Sequence, residues 1–330
     1  MRKNVSIAAG IISALLLALP LLWSLGLMIY QPISILPATV YLAAVILWCC
    51  TRKKHTSSRA ATIHLALWSL ILVNIITYLL IPGPSPEKWQ KPWSIAPEFI
   101  QEADLLTIRN LRDFRYRTEA DSDARYRTET YDLNTLCGVD FAECHWDGMT
   151  AVCHTMLTFN FSDGRRFVVS AETRLPEGVG QNAIAGLYKQ YGILYLFGTE
   201  EDLYGLRTNI RHEDLSIYPL RITQHGARKL LQHYIDLAIR AETSHQPYNT
   251  ITANCSTGLV SGFRALVPDM ARKYDFLPLH NGSIAGLLIS YGAIQQKEGE
   301  TEEQIRKRCY VGYDIPLENY SGEIREKITK

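Results

Sequence analysis

The first 83 residues carry six cations, Arg2, Lys3, Arg52, Lys53, Lys54 and Arg59, and not one Asp or Glu. Among them lie three apolar runs, 5–30, 33–50 and 60–81, each near or above the roughly 20 residues that span a hydrocarbon core. The pattern predicts three N-terminal transmembrane helices. The first run is too long for the apolar centre of a cleaved signal peptide and is followed almost at once by more apolar sequence. Cations near span ends stay on the cytoplasmic side. With Arg2 and Lys3 before the first run and the other four between the second and third, the N-terminus is inside and everything after Ile81 is outside. Pro20, His64 and Asn74, inside the runs, read as kinks or helix-packing contacts rather than as a polar pathway.

Pro82-Gly-Pro-Ser-Pro86 cannot continue a helix and marks a boundary. The expected organisation is therefore a membrane anchor over 1–83, a linker over 84–104 and an extracytoplasmic domain over 105–330, long enough to bury a substantial core. Beyond the anchor, 33 carboxylates outnumber the remaining 28 cations. That balance argues against nucleic acid as a partner, since binding it needs a basic stripe. The echo of Arg115-Tyr-Arg-Thr-Glu119 in Arg125-Tyr-Arg-Thr-Glu129 is too short for a solenoid. It reads either as a cationic surface near lipid headgroups or as solvated strands with paired charges.

Five cysteines, Cys137, Cys144, Cys153, Cys255 and Cys309, fall in the exported part. An odd number leaves at least one thiol unpaired within a monomer. Cys137 and Cys144 flank six residues and are candidates for a small disulfide loop in an oxidising compartment. Cys153 beside His154 invites a metal reading, but adjacent ligands without a second pair at zinc spacing make a poor site. No metal and no diffusible cofactor is expected.

Residues 152–161 alternate as a strand, Ser162-Asp-Gly164 is a hairpin turn signal, and 166–173 return as a second strand. Further strands are predicted over 191–197 and 213–220, and an amphipathic helix over 224–242 with Leu230, Leu231, Tyr234, Leu237 and Ala238 on one face. The Asn, Ser and Thr residues just ahead of Leu259, Val260 and Phe263 mark a helix N-terminus. That places Cys255 where free amides and the positive end of the helix dipole stabilise a thiolate. His154, on the first hairpin strand, is the candidate base. The hairpin turn sets residue 172 or 173 opposite His154, which makes Glu172 the candidate to orient the imidazole. A lone cysteine at a helix start is also, by spacing alone, a small buried hydrophobe.

HTMLTFNFSDG from His154, SAETR from Ser170, LYGLRT from Leu203, YNT from Tyr248 and NCST from Asn254, preceded by RNLRDF from Arg109, YDL from Tyr131 and VDF from Val139, resemble the Lnb N-terminal periplasmic domain family over roughly 105–265. The resemblance implies acyl chemistry on bacterial lipoproteins, with a lipid or lipoprotein substrate at the bilayer and the domain on the periplasmic side of the inner membrane. It implies an α+β fold, an antiparallel sheet with helices, similar to permuted papain-like cysteine acyltransferases that hold an acyl group as a thioester. By that likeness Cys255 is the nucleophile, His154 the base and Glu172 its orienting partner, with Asn254 and the helix-start amides at the oxyanion. Arg174, Arg207 and Tyr248 fall in the same motifs as substrate-binding candidates, the arginines having structural ion pairs as their other reading. Serine stands at 256 where the family more usually has threonine, and no span is read after residue 265. The same Cys and His fit a papain-like amidase or peptidase on cell-wall peptides. A membrane-anchored interaction module would keep the hairpin and lack a reactive thiol.

Overall fold

The computed structural model describes residues 18–31, 39, 56–146, 148–266, 282 and 284–329. The chain divides into two compact units, residues 1–83 with 182–190, and residues 84–181 with 191–330.

In the first unit, helix α1 covers 18–30 and helix α2 Thr56–Leu80. Trp23 meets Tyr78 edge-on with ring centres 5.3 Å apart, and Tyr30 stacks on Tyr188 at 5.2 Å. Lys189 Nζ donates to the carbonyls of Tyr78 at 2.7 Å and Ile81 at 2.6 Å. This places a cation at the negative end of α2, where the last carbonyls have no partner within the helix. Leu65, Trp68, Leu72, Leu79 and Leu80 on α2 are exposed. Among the described residues no helix is long and apolar enough to cross a membrane. Of the three expected spans, the third corresponds to α2 and the first is described from residue 18 onward. The second and the basic loop Arg52–Lys54 lie outside the described residues, residue 39 apart.

The second unit is built on a nine-stranded sheet in the order β1-β2-β9-β8-β7-β6-β10-β11, with β5 also paired to β2. Its strands are β1 Glu98–Glu102, β2 Leu105–Arg112, β5 Tyr126–Asp132, β6 Leu136–His145, β7 His154–Phe161, β8 Arg166–Arg174, β9 Gly192–Gly198, β10 Asp214–Pro219 and β11 Tyr310–Gly312. A separate two-stranded ribbon joins β3 Arg115–Tyr116 to β4 Ser122–Asp123. The pairings are antiparallel except β2 with β9, where Arg112 meets Gly198 in parallel. The expected antiparallel sheet is therefore mixed. The expected linker over 84–104 is also built into the domain: β1 is the sheet's edge strand, and Trp89 bridges to Pro176.

Both faces of the central strands are buried, so alternate residues feed two cores. Leu157, Phe159, Phe167, Val169, Tyr195 and Phe197 pack with helix α3 Gln224–Thr243 and helix α4 Cys255–Leu266. Met156, Val168, Leu194, Leu196 and Ile217 face the opposite way, against Tyr320, Ile324 and Ile328 of the C-terminal helix Tyr320–Thr329. Gly258 lets α4 approach β9 closely, since a Cβ there would lie 3.3 Å from the Tyr195 ring. On α3, Leu230, Leu231, Tyr234, Leu237 and Ala238 are all buried, as the helical period requires.

The echoed RYRTE segments carry paired charges. Arg115 lies 2.6 Å from Asp113, Arg117 bonds Asp121 and Asp123, and Arg127 lies 2.5 Å from Asp113. The five described cysteines are free of disulfides. Cys137 and Cys144 sit seven residues apart on the single extended strand β6, about 23 Å at the usual rise. The disulfide loop considered for them is excluded, because a bridge needs Cα atoms within roughly 7 Å.

Candidate active site

The hairpin β7–β8 turns at Ser162–Gly164, where Gly164 adopts a φ of 86° and its amide bonds the Phe161 carbonyl at 3.0 Å. Only glycine takes that conformation without strain. The turn fixes the register, with Met156 opposite Ser170. Continuing that register by two residues brings His154 opposite Glu172. Ser170 and Glu172 alternate onto one side of β8 and both reach the imidazole: His154 Nε2 lies 2.7 Å from Ser170 Oγ and 3.2 Å from Glu172 Oε1. Ser170 Oγ donates to Glu172 Oε1 at 2.6 Å.

Cys255 opens α4. Asn254 is the cap: its side-chain oxygen accepts from the amides of Ser256 and Thr257, both at 3.0 Å, and its side-chain nitrogen donates to Thr250 O at 2.7 Å. A second loop bond closes Asn254 N onto Thr257 Oγ1 at 2.8 Å. Asn254 is thus occupied in building the helix start and presenting Cys255. Its described contacts are those of a residue that positions Cys255.

Three charges settle the protonation of the site. Burial pushes the Cys255 thiol up, but His154 and the backbone N–H and hydroxyl of Thr155 bring it down to about 6. Burial and Arg207 disfavour the imidazolium, yet Glu172 and Cys255 hold His154 up at about 9. Burial alone would raise Glu172, while His154, Arg207 and the Ser170 hydroxyl keep it well below the usual carboxylate range. Because Nε2 is engaged by Ser170 and Glu172, Nδ1 is the ring nitrogen left for the sulfur. The result is a thiolate–imidazolium pair at neutral pH. In contrast, burial pushes the thiols of Cys144, Cys153 and Cys309 up.

Arg207 Nη2 lies 2.9 Å from Glu172 Oε1 and Nη1 3.2 Å from Glu213 Oε2. It is 5% exposed and acts on the carboxylate behind the histidine. Arg174 donates to Trp93 O and Ser94 O, each at 2.9 Å, and to Glu242 at 2.6 Å, and it stacks on Trp89. It fastens the segment 89–94 to α3. Asp202, one residue ahead of the LYGLRT motif, takes two bonds from Arg112, at 2.7 and 2.9 Å, and one from the Phe114 amide at 2.7 Å. The third substrate-binding candidate, Tyr248, is partly buried and packs against the same core as Cys255. Burial and Cys255 together push its phenol up to about 12.

Sequence reasoning gave no role to Ser170 or Thr155. The two-residue spacing of Ser170 and Glu172 on a strand facing His154 was the available signal for the first. Thr155 is 3% exposed and its hydroxyl has no oxygen or nitrogen partner, a feature only the packed structure displays.

A thiol of lowered pKa at a helix start, with a histidine and a carboxylate aligned on a sheet, makes a candidate cysteine–histidine–carboxylate site on an α+β scaffold. Residues 122–281 match the family model described as Lnb N-terminal periplasmic domain. No curated protein and no solved structure matches the chain.

Proposed function

We propose that the protein is a membrane-anchored periplasmic cysteine acyltransferase or acyl hydrolase acting on lipoprotein or phospholipid acyl esters. The observation that carries this reading is the placing of Cys255 at the capped start of α4, beside a histidine whose far nitrogen is held by Ser170 and Glu172. The periplasmic description of the family supports the location, and the acid-free, apolar N-terminal 83 residues support the anchor.

In the first half-reaction the Cys255 thiolate adds to the ester carbonyl. Thr155 Oγ1 and the Cys255 amide stand ready as donors to the developing oxyanion. The carbon–oxygen bond then breaks, the His154 imidazolium gives its proton to the departing alkoxide, and an acyl thioester and an alcohol remain. In the second half, neutral His154 takes a proton from an attacking amine or water. The new carbon–nitrogen or carbon–oxygen bond forms as the carbon–sulfur bond breaks, and the thiolate–imidazolium pair returns. Glu172 keeps the ring oriented through both halves. A permuted papain-like arrangement accommodates these roles.

The test is product analysis with the whole protein in mixed micelles, using a diacylated lipopeptide with a free N-terminal amine and, separately, a phospholipid. The reading predicts loss of an ester-linked chain, with an N-acyl or free fatty-acid product that Cys255→Ala does not form. Cleavage of soluble cell-wall peptides without lipid turnover would establish the amidase reading in its place. No turnover of either would favour a binding module.

A further inference from the structure

The ends of β6 and β7 carry a second constellation that the thiol chemistry does not use. The ladder sets Glu143 opposite Thr155 and Cys144 opposite His154. Continuing that register by one residue brings His145 opposite Cys153, just ahead of β7. Side chains alternate along a strand, so Glu143, His145 and Cys153 share one face, while Cys144 and His154 share the other. A carboxylate oxygen of Glu143, a ring nitrogen of His145 and the Cys153 sulfur all lie within 4.8 Å of one another. Tetrahedral zinc with bonds of about 2.0–2.3 Å sets its ligands roughly 3.4–3.8 Å apart, so a small closure of these side chains suffices.

The surroundings are arranged as around a metal. Glu143 is 2% exposed. Its Oε1 accepts from Tyr218 Oη at 3.0 Å and lies 3.5 Å from His145 Nε2 and 3.8 Å from Arg306, but its Oε2 is buried with no hydrogen-bond partner. An orphaned buried carboxylate oxygen is costly, and a coordinated cation removes that cost. His145 places Nδ1 3.0 Å from the carbonyl of Met149. With Nδ1 at a carbonyl, Nε2 is the nitrogen turned toward Glu143, whose Oε1 lies 3.5 Å away; a cation seated between them takes the place of a shared proton, and the Nδ1 contact holds the ring as second-shell carbonyls hold metal-bound histidines.

We propose that Glu143, His145 and Cys153 form a binding site for one borderline-soft divalent cation of the zinc class. One oxygen, one nitrogen and one sulfur ligand suit that class over magnesium or calcium, which take oxygen. Three protein ligands leave a fourth tetrahedral position for water. The adjacency of Cys153 and His154 in sequence, which reads as a poor ligand pair, resolves in space: the two face opposite ways, and His145 supplies the imidazole. The metal joins the ends of β6 and β7 one residue ahead of His154, and so fixes the strand that delivers the imidazole to Cys255.

The test uses the whole protein in detergent in a Cys255→Ala background, which removes the other reactive thiol. After chelation and dialysis it is titrated with Co2+ and then Zn2+. The site predicts one equivalent of Co2+ with a thiolate-to-cobalt charge-transfer band, displaced by Zn2+. Cys153→Ser abolishes the band, and His145→Ala weakens binding at least tenfold. Tyr218→Phe, which removes only the hydroxyl that donates to Glu143, weakens it by about tenfold. Circular dichroism identifies which variants are folded, and the Tyr218→Phe and Cys153→Ser measurements keep the test decisive if His145→Ala is not. A folded parent without the band, or a band that survives Cys153→Ser, overturns the site.

Discussion

His154 Nε2 stands 3.2 Å from Glu172 Oε1, with the Ser170 hydroxyl between them, 2.7 Å from the ring and 2.6 Å from the carboxylate. The imidazole is therefore gripped from behind, and its proton inventory is set by a carboxylate that stays ionised. Glu172→Gln retains the shape and loses the charge. We expect kcat to fall by roughly 10²–10⁴, as when a triad carboxylate is neutralised. KM should change much less, which steady-state kinetics on a lipid ester will show.

The groups facing the sulfur set its pH profile. Cys255, with its thiol at about 6, loses its proton first, and His154, at about 9, keeps its own until well above neutrality. Glu172 stays charged, and Arg207 behind it is a cation throughout. The reactive pair exists between the two values and titrates as a unit. Alkylation of Cys255 should rise through pH 6 and change little up to about 9, where the imidazolium is lost. In His154→Ala the midpoint should move upward toward an ordinary thiol. Iodoacetamide rates across pH, read by peptide mass, check both statements. For stability the signs oppose: the lowered thiol adds stability as pH rises from about 6, and the raised histidine loses its contribution as pH rises to about 9.

Asn254 caps α4 through its side-chain oxygen. Asn254→Ala should cost about 1 kcal/mol and lower the melting temperature by roughly 2–4 °C. Asn254→Asp keeps the cap acceptor but adds a negative charge next to the thiolate. It should spare most of the stability and raise the pH midpoint of Cys255 alkylation, which separates helix capping from thiol activation.

Arg207 sits between Glu172 and Glu213 with little exposure. Arg207→Met takes the nearest cation from Glu172 and from the buried Glu213, leaving the first to His154 and the second to Arg211 at 3.8 Å, at a cost of roughly 3 kcal/mol. Urea denaturation should detect that loss in the absence of any substrate. A merely substrate-binding arginine would leave the unfolding midpoint in place.

The parts legible in the sequence were those fixed by short-range rules. The hairpin turn at Ser162–Gly164, the apolar face of α3 and the polar cap before Leu259 each follow from local chemistry. Together they located His154, Glu172 and Cys255. The mixed sheet was not legible, because the single parallel contact of Arg112 with Gly198 joins strands far apart in sequence. The segment 84–104 read as a linker because Pro and charged residues hide the edge strand β1, which gains its partners only from β2. Thr155 was not legible as a site residue, since its place beside the thiol depends on tertiary packing, and Ser170 was signalled only by its two-residue spacing from Glu172.

The central claim is that Cys255 carries an acyl group, and the most direct test is the intact mass of the protein after incubation with phospholipid or diacylated lipopeptide. The account predicts an acyl-sized adduct on the wild type that hydroxylamine removes, that maps to Cys255 and that is absent from Cys255→Ala. An adduct of the same size on Cys255→Ala, or none on a wild type that turns the lipid over, would contradict it.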